Sequence, residues 1–213
     1  MNELKVLSYD LRKHVVDMII AGKGGHIGGD MSIMEILVEL YMKQMNISPE
    51  NKDLDNRDRF VLSKGHSVES YYAVLAKKGF FPMEEVISTF SQFGSKFIGH
   101  PNNKLPGIEM NSGSLGHGLP VCVGMAMAGK MDRKDYRVYV VMGDGELAEG
   151  SVWEGAMAAS HYCLDNLCAV VDRNRLQISG CTEDVMGHDD LHERFRSFGW
   201  HVIDVADGND IDQ

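Results

Sequence analysis

The sequence has little of several features that define whole classes of proteins. Its four cysteines form no Cys-X-X-Cys pair, which argues against a disulfide framework and indicates reduced, buried thiols. The longest apolar-rich run, residues 119–128, is far shorter than the roughly 20 residues of a membrane span, and residues 1–14 lack a signal-peptide pattern. A net charge of −10 disfavours nucleic acid and anionic membranes as partners. We therefore expect a cytoplasmic protein.

What the sequence does contain is a regular alternation of helical and strand-like patterns. Strand-like runs begin near residues 59, 138, 167 and 200, and amphipathic helical patterns separate them, the first helix covering residues 3–22. This order is typical of an α/β fold with an open, mostly parallel, doubly wound sheet and helices on both faces. A chain of 213 residues fits one domain.

Two irregular segments stand out between these patterns. Five glycines between residues 22 and 30 predict a loop whose backbone lies close to a ligand. Ser32 and Glu35 have the spacing of a capping box, which predicts that the next helix starts there. Residues 94–118 show no periodic pattern, and a loop this long inside a compact domain is usually functional.

Residues 138–180 predict a strand, a helix and a second strand, with polar residues after each strand. Asp144 lies between Gly143 and Gly145 after the first strand, and Asn174 follows the second. Parallel strands bring their carboxyl ends to one edge, so we expect these two side chains to lie close together. Carboxylate and amide oxygens suit Mg²⁺, and the glycines and the helix start leave room for a diphosphate. The alternative is an ordinary turn between a strand and a helix.

Four of the nine histidines follow a glycine, namely His26, His66, His100 and His117. A single histidine in such a turn is usually a surface or capping residue. Their recurrence favours proton transfer and hydroxyl recognition, because imidazole titrates near neutral pH. A zinc site is the competing interpretation, and the lack of helical spacing and of cysteine ligands argues against it.

Together these motifs resemble the N-terminal, diphosphate-binding half of transketolase. The resemblance spans most of the chain, and its motifs occur in the family's order. The stretches that carry it are GGHIGG (24–29), RFVLSKGH (59–66), GSKFIGHP (94–101), NSGSLGHG (111–118), GDGELAEGSVWEGA (143–156), DRNRLQISG (172–180) and RFRSFGWHVIDVADG (194–208).

The resemblance implies thiamine diphosphate and Mg²⁺ as cofactors, and it assigns roles to individual residues. The implied metal ligands are Asp144, Asn174 and the main-chain carbonyl of Leu176. The implied cofactor-binding residues are His66, Gly113, Leu115, Gly143, Gly145, Ile178 and Glu149, the last also matching a glutamate at the family's subunit interface. The implied catalytic residues, which handle the sugar substrate, are His26, His66 and His100. For Glu149, a carboxylate placed to favour a helix N-terminus is an equally good interpretation.

The resemblance also implies an activity and a partner. The family moves a two-carbon ketol unit from a ketose phosphate, as in pentose phosphate chemistry, to an aldose acceptor, with the cofactor as electron sink. Residues 1–213 match a single diphosphate-binding domain without its last strand region and without the family's pyrimidine-binding half. We therefore expect a subunit of a split enzyme that is active with a separate pyrimidine-binding chain, in a dimer of heterodimers.

Some positions depart from the family pattern and leave the substrate open. His117 replaces a usual glutamine, Ser114 a usual proline, and Ile27 the proline of the first motif. Other thiamine diphosphate enzymes remain alternatives: a 1-deoxyxylulose-phosphate synthase, a 2-oxoacid dehydrogenase α chain, or a transketolase for unusual sugars. A regulatory paralogue that binds the cofactor without turnover is the non-enzymatic alternative.

Overall fold

The computed structural model describes residues 3–213, which alternate between helices and strands as the sequence predicts. The α-helices are α1 (Glu3–Gly22), α2 (Ile27–Glu39), α3 (Val68–Lys78), α4 (Met83–Thr89), α5 (Gly118–Met131), α6 (Gly150–His161), α7 (Thr182–Met186) and α8 (Leu191–Ser197). The strands are β1 (Arg59–Leu62), β2 (Val138–Gly143), β3 (Leu167–Asp172), β4 (Leu176–Gln177) and β5 (Gly180–Cys181). A π-helical turn, Leu40–Gln44, extends α2, and 3₁₀ turns cover Gly65–Ser67 and Gly145–Ala148.

Strands β1, β2 and β3 form a parallel sheet in that order. Arg59 pairs with Val138, and Val138 pairs with Leu167, so the three strands start level at one edge. The carboxyl ends of β2 and β3 are level as well, because Gly143 pairs with Asp172. The sheet therefore brings the residues that follow each strand to one edge, as parallel pairing requires.

The two faces of the sheet are covered by different helices. Phe60 and Val141 point to a core formed with α1, α2, α3 and α4. Val61 and Val140, their neighbours in the strands, point to a second core formed with α5, α6 and α8. Successive strand residues alternate between the two faces, and each buried Val or Phe contributes roughly 1.5–3 kcal/mol. The doubly wound α/β fold is confirmed.

The glycine-rich loop is shorter than predicted. Helix α2 begins at Ile27, so Gly28 and Gly29 are helical and the irregular backbone ends at His26. A Cβ on Gly29 would lie 2.6 Å from Ser67 Oγ. Here glycine permits close packing of α2 against the turn that follows β1, which a sequence pattern cannot distinguish from loop flexibility.

The predicted capping box is wrong, because Ser32 and Glu35 lie inside α2. Ser32 Oγ donates to Asp172 Oδ1 at 2.5 Å. Glu35 forms an ion pair with Arg12 of α1, at 2.5 Å. Both side chains hold α2 against other elements, so their spacing of three residues reflects tertiary contacts.

The predicted strand at 200–205 is also absent. This segment is extended but pairs with no other strand in the part of the chain described. The Trp200 indole donates to the carbonyl of Ala156 at 3.0 Å and packs on Phe195, which directs the segment over α6 and α8 rather than along β3. A pattern of β-branched residues predicts an extended backbone but does not supply its pairing partner.

The prediction of buried thiols holds for one cysteine. Cys122 is buried in α5, Cys181 is half-buried, and Cys163 and Cys168 are exposed. All four are free, in agreement with the predicted reduced state. Among residues 3–213, no helix has the length and apolarity needed to cross a membrane.

Candidate functional site

Asp144 lies directly after β2, where its carboxylate is fixed by three hydrogen bonds. Oδ1 accepts the N–H of Gly145 at 2.9 Å. Oδ2 accepts the N–H of Arg175 at 2.9 Å and the hydroxyl of Thr182 at 3.1 Å. The side chain is buried, at 3% exposure. Its orientation is therefore set by both the turn after β2 and the segment after β3.

The segment that follows β3 carries the other predicted metal ligands. Asn174 precedes Arg175, whose N–H bonds Asp144, so the structure brings the two strand ends together. Asn174 Oδ1 accepts the N–H of Leu176 at 3.0 Å. Leu176 begins the β4–β5 hairpin, and Ile178 lies at its turn with its side chain fully exposed. The segment is therefore a compact, polar turn with apolar side chains facing outward.

The donor set fits a hard divalent cation bound with a diphosphate. A carboxylate has about four lone-pair positions, and the described residues occupy three of those on Asp144. No Lys, Arg or His within residues 3–213 forms an ion pair with it, so its charge is uncompensated. Gln177 Oε1 is a buried acceptor without a donor among the described residues, beside Gly145. A bound cation and its waters satisfy such groups.

The metal assignment itself remains a prediction. Within residues 3–213, no three His, Cys, Asp or Glu side chains cluster to hold a metal ion. The predicted set contains one carboxylate, one amide and one main-chain carbonyl, so it is not a site of that type. Its remaining ligands would come from water and phosphate, as Mg²⁺ prefers.

Three of the four glycine-preceded histidines meet in one cluster. The ring of His26 lies 5.8 Å from that of His66 and 5.8 Å from that of His100, centroid to centroid. They come from the start of α2, the turn after β1 and the long loop 94–118. His26 is exposed, whereas His66 and His100 are half-buried. Three imidazoles thus line one wall at the carboxyl edge of the sheet.

Burial keeps the inner members of this cluster neutral. It lowers the pKa of His66 to about 4, and the positive charge of Lys64 contributes to the same shift. The pKa of His100 is also lowered, first by burial and then by His26. At neutral pH these two imidazoles therefore carry one proton each and can donate or accept a hydrogen bond.

The loop 94–118 is held against the histidines by its glycines. Gly113 has φ +121°, and a Cβ there would lie 2.4 Å from His100 Cδ2. A Cβ on Gly65 would lie 2.8 Å from the Gly113 nitrogen. The loop backbone therefore fits between the turn carrying His66 and the ring of His100, and Leu115 follows it, half-buried.

The two departures from the family pattern in this loop contact each other. Ser114 Oγ lies 3.2 Å from His117 Nδ1, and the carbonyl of Leu115 lies 3.1 Å from the same nitrogen. His117 is exposed and does not join the other three histidines. The contact stabilises the loop turn, which is a structural reason for these residues to occur together.

Glu149 occupies the N-cap position of α6, where its side chain is exposed and forms no capping hydrogen bond. A Cβ on Gly116 would lie 2.5 Å from Glu149 Cβ, so the loop 94–118 passes beside it. This position agrees with a favourable location near a helix N-terminus. Its role at an interface between subunits remains a prediction.

Sequence reasoning missed Glu146, a buried carboxylate in the turn after Asp144. It accepts hydrogen bonds from the N–H of Gly116 at 2.8 Å, from the N–H of Gly143 at 3.2 Å and from the Ser63 hydroxyl. Burial raises its pKa. Glu146 thus joins the ends of β1 and β2 to the long loop. Its partners outside this turn lie far away in sequence, so no local pattern reveals it.

A buried ion pair between Lys64 and Asp172 was also missed. Lys64 follows β1, Asp172 ends β3, and their Nζ and Oδ2 atoms are 2.5 Å apart. Lys64 crosses the end of β2, since a Cβ on Gly143 would lie 3.9 Å from Lys64 Cβ. Ser32 of α2 donates to the other oxygen of Asp172. The pair ties together the carboxyl ends of the three strands.

Comparison with known families and relatives agrees with this geometry. Residues 5–213 match the family described as transketolase, thiamine diphosphate binding domain. A subunit of apulose-4-phosphate transketolase from Phocaeicola vulgatus is 52% identical over 95% of this chain and 72% of its own length. The 6-deoxy-6-sulfo-D-fructose transketolase subunit SqwG of Clostridium sp. is 43% identical over 89% of this chain and 68% of its own length.

A solved structure shows the same architecture. Transketolase from Pichia stipitis superimposes with a TM-score of 0.91 at 33% identity, and the match covers 100% of this chain. The same match covers 33% of the Pichia chain, so the present sequence spans about a third of that enzyme. The region that it spans has the fold described above.

Proposed function

This chain belongs to the transketolase family, whose thiamine diphosphate-binding domain it matches, and from that premise we propose that it is the N-terminal subunit of a split transketolase. Such an enzyme transfers a two-carbon ketol unit from a ketose phosphate to an aldose acceptor. Its whole activity, substrates and partner are part of the proposal. Residues 1–213 would form a single diphosphate-binding domain of that subunit.

The observation that carries the proposal is the convergence of three histidines beside the Asp144 turn. The rings of His26, His66 and His100 form one wall at the carboxyl edge of the sheet. Asp144 and the Asn174 segment lie at the same edge, across the end of β2. In open α/β sheets, ligands bind at this edge. The edge thus combines groups for a diphosphate and its cation with groups for a polyhydroxy substrate.

Asp144, Asn174 and the main-chain carbonyl of Leu176 would hold Mg²⁺. His66 and the glycines on either side of Asp144 would meet the diphosphate, and main-chain groups of Gly113 and Leu115 the aminopyrimidine. Ile178 would pack on the cofactor rings, which accounts for an apolar side chain left fully exposed in this chain. When bound, thiamine diphosphate supplies an electron sink for breaking and forming the carbon–carbon bond.

The histidines would orient the sugar and exchange protons at its oxygens. His66 and His100, neutral at pH 7 because of burial, can accept a proton from a hydroxyl or donate one to a carbonyl oxygen. His26 is exposed and lies between the other two, in the position closest to incoming substrate. The loop 94–118 narrows the site and limits access of water to these rings.

The donor is expected to be a ketose carrying an anionic group. Relatives at 52% and 44% identity are named for apulose-4-phosphate, and one at 43% for 6-deoxy-6-sulfo-D-fructose. A transketolase for unusual sugars therefore takes precedence over the other thiamine enzymes considered. The aminopyrimidine would be activated by a separate pyrimidine-binding chain, since these relatives are named as single subunits of transketolases. We propose a cytoplasmic dimer of such heterodimers.

The test is reconstitution with the pyrimidine-binding chain, followed by calorimetric titration of thiamine diphosphate with and without Mg²⁺. Asp144→Ala should abolish Mg²⁺-dependent binding, because it removes the only charged ligand in the proposed set. Asp17→Asn, an exposed position on α1, is the control and should bind as the wild type does. Unchanged affinity in Asp144→Ala would refute the metal assignment. Turnover of apulose-4-phosphate or another ketose phosphate by the reconstituted pair, and by neither chain alone, would support the function.

A further inference from the structure

Two buried carboxyl groups lie beneath the histidine cluster, and neither belongs to the site residues above. Asp30 is in the first turn of α2 and Glu69 in the first turn of α3, and both are fully buried, at 0% exposure. Asp30 Oδ1 accepts the N–H of Ser70 at 2.9 Å. Glu69 Oε1 accepts the main-chain N–H of His26 at 3.2 Å. The two carboxyls therefore connect both helices to the residue that bears the outermost imidazole.

The second oxygens of this pair lack a donor. Asp30 Oδ2 and Glu69 Oε2 are buried without a hydrogen-bond partner among the described residues, although the two side chains are in hydrogen-bonding contact. Two facing acceptors in a buried site are costly, and one shared proton converts one of them into a donor. Burial, and then the negative charge of Glu69, raises the pKa of Asp30 to about 8. The pair therefore holds one proton at neutral pH.

Few charged groups of the described chain face this pair. From the turn after β1, Lys64 Nζ reaches the carbonyl of Gly29 at 3.4 Å, and its charge is already paired with Asp172. The histidine rings lie on the outer side, and the charge of Glu69 raises the pKa of His100 against the effect of burial. From α1, the apolar Ile19 packs beside Gly25. These neighbours supply no cation that could neutralise a second negative charge.

The backbone around the pair leaves no room for adjustment. A Cβ on Gly25 would lie 2.4 Å from Glu69 Oε1 and 2.6 Å from Ile19 Cγ1. Ser70 Oγ also donates to the carbonyl of Asp30 at 2.9 Å, so α3 holds both ends of that residue. A movement of Glu69 would therefore move the His26 main chain.

We propose that Asp30 and Glu69 act as a positioning pair that shares one proton and holds His26 in place for the substrate. Loss of that proton in alkaline solution leaves two negative charges in contact, which separates the carboxyls and displaces His26. This inference rests on the proposed role of His26 at the sugar. Neither residue touches substrate, so their effect is on geometry.

The first test compares two substitutions of Glu69 in the reconstituted enzyme. In Glu69→Gln the amide oxygen still accepts the His26 N–H and the amide nitrogen donates to Asp30, so kcat/KM should stay within about threefold of wild type. Glu69→Met has a similar length but no acceptor, and kcat/KM should fall by about tenfold to a hundredfold through KM for the donor sugar. Thiamine diphosphate affinity should be unchanged in both. Equal losses in Gln and Met would overturn the positioning role.

The second test follows the proton. Asp30→Asn supplies a permanent donor to Glu69, so a one-proton decline of kcat/KM above about pH 8 should be present in wild type and absent in this variant. Glu84→Gln, an exposed carboxyl on α4, is the matched control and should keep the decline. A decline that persists in Asp30→Asn would contradict the proposal.

A third measurement needs no turnover. Infrared spectroscopy of the wild-type assembly at pH 7 should show the carbonyl band of a protonated carboxyl, and Asp30→Asn should lack it. Absence of that band in wild type would overturn the shared proton, even if Asp30→Asn fails to fold. If the band is present but no ketose is turned over, the proposed function fails and the proton assignment stands.

Discussion

At the scale of single residues, His66 shows how position decides the chemistry of a side chain. The same residue type is exposed at His26 and half-buried at His66, although both follow a glycine in a short turn. Burial and the nearby charge of Lys64 lower the pKa of His66 to about 4, so its imidazole is neutral throughout the physiological range. A neutral imidazole is the form that can accept a proton from a sugar hydroxyl.

The pKa of His66 leads to a prediction about stability. The unfolded chain binds a proton at this residue near pH 6.5, whereas the folded chain does so near pH 4. The unfolded state therefore holds more protons between these values, and the free energy of unfolding should fall as the pH drops through that window. Urea unfolding at a series of pH values should show a shallower fall in His66→Asn. An identical pH dependence in wild type and His66→Asn would contradict the assigned shift.

At the scale of elements, the loop 94–118 is ordered by contacts with the turns that follow β1 and β2. Glu146 accepts the N–H of Gly116, and Ser112 Oγ donates to the carbonyl of Leu62 at 2.6 Å. Gly113 lies between these contacts, with no space for a side chain. A long segment without helix or strand is therefore held in one conformation by the carboxyl edge of the sheet.

The loop yields a prediction at Gly113. In Gly113→Ala the new Cβ would meet His100 Cδ2 at 2.4 Å, at a φ of +121° that side chains rarely adopt. We expect His100 to be displaced and kcat/KM of the reconstituted enzyme to fall by about a hundredfold, since a shift of about 1 Å costs that much. Gly124→Ala in α5 is the control, because nothing lies within 4 Å of its Cβ.

The Gly124→Ala control should leave activity unchanged and raise the free energy of unfolding by about 0.5–1 kcal/mol, as expected for alanine in a helix. Circular dichroism of both variants verifies that the fold is retained. Wild-type kcat/KM in Gly113→Ala would show that the loop does not position His100.

At the scale of the whole molecule, the site is open on one side. Leu176 and Ile178 in the β4–β5 hairpin expose 67% and 107% of their side chains beside the Asp144 turn. Apolar groups at the edge of a site are commonly covered by a ligand or another chain. The opposite edge of the sheet, where residues 48–58 lead into β1, contains none of the predicted site residues.

We therefore predict a defined footprint for the partner. Hydroxyl-radical labelling of Leu176 and Ile178 should decrease when the pyrimidine-binding chain and thiamine diphosphate with Mg²⁺ are added. Leu54, exposed at 55% near the opposite edge of the sheet, is the internal control and should be labelled as before. Unchanged labelling of Leu176 and Ile178 in an active assembly would show that the partner binds elsewhere.

The sequence alone determined the features that depend on local patterns. Helix α1, the α/β class and the strands before Asp144 and Asn174 follow from hydrophobic periodicity and from the glycines that punctuate it. The predicted strand at 200–205 failed for the same reason, because periodicity does not show whether a pairing partner exists. The motifs were specific enough to indicate the family, and the family match confirms it.

The tertiary structure alone decided which polar side chains meet inside the fold. Lys64 and Asp172 are separated by 108 residues, Ser63 and Glu146 by 83, and Glu69 and His26 by 43. Buried polar groups require partners, but a partner at that separation is fixed by how helices pack on the sheet, which leaves no periodic signal. For that reason Ser32 and Glu35 suggested a helix cap, whereas the folded chain uses them to hold α2 against β3 and α1.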